Sequence, residues 1–79
     1  MEAAMKPSAM AARMAKEIAE AREALVECAR QQPDRWWFAY ELKDHARNGW
    51  RPGVMNMALR RLKQTGVFDS EGDRIRLRR

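Results

Sequence analysis

The spacing of apolar residues changes at Gly66, and this change favours folds in which helices come first and a β-hairpin comes last. Before Gly66, apolar residues recur every three or four positions, which is the period of a helix that is buried on one face. After Gly66 they alternate, so Ile75 and Leu77 are expected to face inward from a strand. The sequence therefore predicts a mainly helical domain with a small C-terminal β-hairpin.

Prolines and glycines set the boundaries of the predicted elements. Pro33 ends the first helix, Pro52 lies in the first turn of the third helix, and Gly66 follows its last residue. Ser8 is the expected N-cap of the first helix. The prediction comprises a flexible N-terminal arm over 1–7 and a single domain over 8–79, which contains a long first helix (8–31), a second helix (39–47), a third helix (52–65) and a hairpin (67–78).

The first predicted helix carries an apolar stripe that is long for so small a domain. A helix over 8–31 is about 36 Å long, which is more than a small core needs. We therefore expect its first half to lie outside the core or against a partner. The simplest partner is a second copy of the chain, and the predicted dimer interface consists of Met14, Ile18 and Ala21.

The net charge of +5 lies in the second part of the 79-residue chain. Residues 1–32 carry five basic and five acidic side chains, whereas residues 33–79 carry eleven basic and six acidic ones. This division favours pairing or scaffolding in the first part and contact with a polyanion in the second. The alternative is a basic surface that only maintains solubility.

Few residues in the chain have the chemistry of an active site or a metal site. Cys28 is the single cysteine, His45 is the single histidine, and Glu41 and Asp44 do not make a convincing acid–base pair. We expect no enzymatic activity, metal, cofactor or small-molecule substrate. The chain has no apolar run long enough for a membrane span and no secretion signal at its start, so a cytoplasmic protein is expected.

Residues 54–68 read VMNMALRRLKQTGVF, and residues 37–42 read WFAYEL. These two motifs and the predicted order of helices and strands resemble those of the winged helix-turn-helix family, and the resemblance covers about residues 24–79. The resemblance implies a winged helix-turn-helix fold with an extended N-terminal helix, in which the third helix reads the major groove of DNA. The hairpin that follows is then the wing.

The third predicted helix has side chains suited to a major groove. Arginine can bind guanine at two points, and asparagine or glutamine can bind adenine in the same way. Arginines at the start of this helix and on the hairpin are expected to hold phosphates. The acids Asp69, Glu71 and Asp73 are expected to keep the wing tip out of the minor groove. The predicted DNA-binding residues are Arg51, Asn56, Met57, Arg60, Arg61, Lys63, Gln64, Arg74, Arg76 and Arg78.

Two interpretations of function remain open. The first is a sequence-specific duplex DNA-binding protein, such as a small transcriptional regulator or an accessory factor of a phage or mobile element, which would associate with the nucleoid. The second is a winged-helix module or inhibitor that binds a host protein, for example an anti-CRISPR-type phage protein that blocks a nucleic-acid complex. Trp36, Trp37 and Trp50 either pack in the core or stack on unpaired bases.

Overall fold

The computed structural model describes residues 9–78, which form three helices and three short antiparallel strands. The elements are α1 (Ala9–Arg30), β1 (Trp37–Phe38), α2 (Ala39–Ala46), α3 (Pro52–Gln64), β2 (Phe68–Glu71) and β3 (Arg74–Leu77). The prediction of a mainly helical domain with a C-terminal hairpin is confirmed. Each helix ends one residue earlier than predicted. The predicted arm over 1–7 and the Ser8 N-cap lie outside the described residues.

The sheet contains one strand more than the predicted hairpin. Its strand order is β1-β3-β2, so β3 is the central strand and pairs with both neighbours. On the β1 side, Trp37 pairs with Ile75 and Phe38 pairs with Arg74. The run Trp36–Phe38 is too short for a helix and predicts a brief extended segment, and its last two residues form a strand of the sheet.

The hairpin turn is also tighter than expected. Residues 70–73 are rich in turn-forming side chains, which predicts a four-residue turn there. Ser70 and Glu71 belong to β2 instead, so only Gly72 and Asp73 connect the strands. Gly72 has a φ of 61°, a conformation that glycine adopts readily and that occurs at the first position of type II′ hairpin turns. The ladder continues at the open end, where the Arg78 N–H donates to the Val67 carbonyl at 2.9 Å.

One apolar core joins the helices to the inner face of the sheet. The largest fully buried side chains are those of Trp37, Leu25, Leu42, Ile75 and Val54, which come from α1, β1, α2, α3 and β3. Burial of such side chains is worth about 1.5–3 kcal/mol each for the aliphatic ones. The position of the core fixes which faces of α3 and of the sheet meet solvent.

The core also corrects the predicted dimer interface. Ile18 and Ala21 are 6% and 0% exposed, because α1 packs them against its own chain. They have no surface left for a second copy, whereas Met14 remains 45% exposed. The expectation that the first half of α1 lies largely outside the core is confirmed, since residues 9–16 are all exposed. Within the described residues, no helix is long and apolar enough to cross a membrane.

Candidate nucleic-acid interface

Helix α3 buries one side and exposes the other. Val54, Met55, Ala58, Leu59 and Leu62 are buried, which follows from their spacing of three and four residues. All of the α3 side chains that were predicted to face outward are exposed, and so is Arg51, which precedes the helix. The six on the helix are Asn56, Met57, Arg60, Arg61, Lys63 and Gln64. We call these seven residues the helix surface.

The helix surface is basic because α3 contains arginine and lysine but no acidic residue. Arg61 and Lys63 lie in its last turn, where they also interact favourably with the C-terminal end of the helix dipole. Thirteen residues give a helix about 20 Å long. Its exposed side therefore has positive charge at Arg51 and in its C-terminal part, amide groups at Asn56 and Gln64, and no carboxylate to oppose an anion.

Arg60 lies at the middle of the exposed side of α3. It is seven residues after Gly53 and four before Gln64, a spacing that aligns all three on one face. Within residues 9–78, no hydrogen bond or ion pair involves the Arg60 guanidinium. This guanidinium is consequently available to a ligand without the loss of an internal partner.

The two edges of the helix surface meet different neighbours. Toward α2, the Lys43 ammonium donates a hydrogen bond to Oδ1 of Asn56 at 2.7 Å. Toward α1, Met57 and Arg61 line a cleft of about 270 Å³ together with Met14. Sequence reasoning missed Lys43, because a contact across thirteen residues between two helices leaves no periodic signal in the sequence.

The predicted arginines of the hairpin lie on another surface. Arg74 and Arg76 alternate along β3 with Ile75, which is buried on the inner face, so they occupy the outer face of the sheet. Arg78 continues this alternation beyond the strand and is exposed. The predicted DNA-binding residues are therefore divided between the helix surface and the outer face of the sheet.

The hairpin arginines already have partners within the chain. The Arg78 Nε donates to Oδ1 of Asp69 at 2.8 Å. The guanidinium carbons of Arg74 and Arg76 lie over the rings of Phe38 and Trp36, at 4.8 and 4.3 Å from the ring centroids. Asp69 is thus an ion-pair partner within β2 rather than an acid at the tip of the hairpin, which corrects its predicted position.

The sequence predicts Tyr40, with Leu42 and Ala46, as an apolar contributor of the second helix, but the structure does not bury Tyr40. It is 69% exposed, whereas Leu42, two positions later on α2, is fully buried. The Tyr40 ring stacks on Phe38, with centroids 5.6 Å apart and planes inclined by 26°. Of the three tryptophans, Trp37 is buried in the core, and Trp36 and Trp50 are partly exposed.

Arg35 and Glu41 support the entry of the chain into α2. The guanidinium of Arg35 lies 3.8 Å from the centroid of the Trp37 ring and pairs with Oε2 of Glu41 at 2.9 Å. The other oxygen of Glu41 accepts the Phe38 N–H at 3.3 Å, which satisfies a donor at the start of the helix. These contacts assign both charged side chains a structural role.

Cys28 lies partly buried against the core at the end of α1. Burial raises the pKa of the Cys28 thiol, and the positive charge of Arg35 acts in the opposite direction. The thiol is therefore protonated and poorly nucleophilic at neutral pH. Within the described part of the chain, no three or more His, Cys, Asp or Glu side chains are grouped so that they could hold a metal ion.

The fold and surfaces define a small helical domain with a three-stranded sheet and two basic faces. Compared with known proteins, the chain matches no family model, no curated protein and no solved structure.

Proposed function

We propose that this chain is a winged helix-turn-helix protein that binds duplex DNA by placing α3 in the major groove. Its element order, with a first strand that pairs with the last and a hairpin directly after the third helix, supports this assignment. A major groove is about 12 Å wide and admits a single α-helix. The proposed role is that of a small transcriptional regulator or an accessory factor of a phage or mobile element.

The observation that carries the proposal is the acid-free exposed side of α3 with Arg60 at its middle. Arg60 and Gln64 lie one turn apart and offer the donors and acceptors that distinguish base pairs. Arg51, Arg61 and Lys63 lie at the ends and flanks, where phosphates would meet them. Arg60 and Gln64 lie along the midline of the exposed side, in the C-terminal half of α3, and the cations flank them. This arrangement suits a helix that reads DNA.

A second candidate function is supported by the α1 edge of the helix surface. Met57 is 41% exposed and shares a cleft with Met14 and with alanines of α1. Methionine-rich clefts adapt to apolar side chains of protein partners. A winged-helix module or inhibitor that binds a host protein would use this cleft rather than Arg60.

Salt-dependent titration of a labelled duplex tests the proposal. If Arg51, Arg61 and Lys63 neutralise phosphates, log K should fall against log salt with a slope of about −3 or steeper. Arg60→Ala should weaken binding to a preferred duplex by about 1–3 kcal/mol. The matched control is Arg30→Ala, since Arg30 is an exposed residue on α1 that pairs with Glu27. Equal effects of the two substitutions, or a salt slope near zero, would contradict the proposal.

A further inference from the structure

The outer face of the sheet presents arginines and aromatic rings side by side. Trp36 and Phe38 flank the buried Trp37 on the β1 segment, and Arg74 and Arg76 flank the buried Ile75 on β3. Because the two strands are antiparallel with Phe38 opposite Arg74, each aromatic ring meets an arginine across the pair. We call the set Trp36, Phe38, Tyr40, Arg74 and Arg76 the sheet surface.

The flat groups of the sheet surface lie against one another in pairs. Each guanidinium lies over a ring at less than 5 Å, and Tyr40 extends the row by stacking on Phe38. Packing against the rings reduces the motion of the arginine side chains before any ligand arrives. The outermost ring, that of Tyr40, is largely open to solvent.

We propose that the sheet surface binds single-stranded nucleic acid, with unpaired bases stacking on Tyr40 and on the arginine–aromatic pairs. Aromatic rings and guanidinium planes stack on any base, and the arginine N–H groups can bind the adjoining phosphates. Duplex DNA does not fit this surface, because its base faces are covered by neighbouring base pairs. Tyr40 lines a cleft of about 150 Å³ with Lys43 and Asn56, so this site borders the helix surface at that edge, whereas Trp36, Arg74 and Arg76 lie on the sheet. Binding of a single strand there does not depend on duplex recognition by α3.

The charge of the sheet favours a nucleic acid over a protein segment. Arg74, Arg76 and Arg78 stand on the outer face against the acids Asp69 and Glu71. Asp69 is engaged by Arg78, so its charge is compensated within the sheet. The remaining charged groups are Arg74 and Arg76 against the single acid Glu71, so this part of the sheet has a net positive charge. A positive surface complements a phosphate backbone.

Fluorescence anisotropy with a labelled 12-nucleotide oligo(dT) tests this inference on the full chain. Tyr40→Ala should weaken binding by about fivefold to a hundredfold, which corresponds to the loss of one base-stacking contact. Tyr40→Phe retains the ring and should stay within about twofold of the wild type. Because Tyr40 is largely exposed, neither substitution disturbs the core. An abasic oligonucleotide of the same length should bind wild type more weakly than oligo(dT).

The helix-surface variant Arg60→Ala separates the two proposals. It should retain affinity for oligo(dT) while losing affinity for duplex, and Tyr40→Ala should lose far more affinity for oligo(dT) than for duplex. Equal affinity for oligo(dT) and the abasic strand would overturn the inference and indicate polyanion attraction alone. Failure of the wild type to bind oligo(dT) at low salt would overturn it as well and favour a protein partner for this surface. Neither result would affect duplex binding through α3.

Discussion

Lys43 on α2 donates a 2.7 Å hydrogen bond to Oδ1 of Asn56 on α3, so the two helices are joined at their solvent-facing edges. Asparagine binds adenine through both its amide oxygen and its amide nitrogen. Recognition of adenine by Asn56 would therefore require its oxygen to exchange Lys43 for the base. The helix surface is thus hydrogen-bonded to α2 at Asn56, whereas the Arg60 guanidinium has no hydrogen bond within residues 9–78.

Removing this bond should have only a small effect on stability. We expect Lys43→Met and Asn56→Ala to show a coupling energy of about 0.2–1 kcal/mol, because exposed charged pairs contribute little. A double-mutant cycle in urea, followed by tryptophan fluorescence, measures it. Lys43→Met combined with Gln64→Ala serves as the control and should be additive. A coupling of 2 kcal/mol or more for Asn56 would show that this bond is a main link between α2 and α3.

The two ends of α1 should differ sharply in their contribution to stability. Leu25→Ala should lower the free energy of unfolding by about 2–5 kcal/mol, because Leu25 is fully buried and its truncation leaves a cavity. Met10→Ala on the same helix should change it by less than about 0.5 kcal/mol, because Met10 is 67% exposed. Urea unfolding of both variants checks the difference. Similar losses for both would contradict the described packing of α1.

The apolar stripe of α1 predicted which face is buried but not what covers it. Ile18 and Ala21 were expected at a dimer interface, yet α1 buries them in its own core, since spacing alone does not identify the covering element. A brief extended segment at Trp36–Phe38 was predicted, but its pairing with β3 was not, for a related reason. A pair with β3 depends on residues far along the chain, and Trp37–Phe38 is too short to show a period.

The candidate site was predictable to the extent that it depends on helical periodicity. The exposure of Arg60 and its neighbours follows from the buried face of α3, and the structure confirms it. The ring contacts of Arg74 and Arg76 were not predictable, because they depend on the register between β1 and β3. Tyr40 was counted among the apolar residues of the second helix, but it lies on the face of α2 opposite to Leu42.

The raised pKa of Cys28 should appear as a loss of stability at alkaline pH. The Cys28 thiol ionises less readily in the folded chain than in the unfolded chain. As pH rises through the thiol's ordinary range, the unfolded state therefore binds fewer protons than the folded state, and the free energy of unfolding falls. The stabilisation is complete below that range and is lost as pH rises through the raised pKa. Unfolding of wild type and of Cys28→Ala from pH 7 to pH 10.5 tests this. Parallel pH profiles for the two proteins would contradict a perturbed thiol.

The central claim is that α3 reads the sequence of duplex DNA, and selection from a pool of random duplexes tests it most directly. The wild type should enrich a defined motif, because Arg60 and Gln64 contact base edges. Arg60→Ala should enrich the same motif with relaxed choice at one position, since the surrounding phosphate contacts remain. Arg30→Ala, on the far end of α1, should enrich the wild-type motif unchanged. A wild-type pool that remains random after repeated rounds would contradict the account and favour a protein partner for the helix surface.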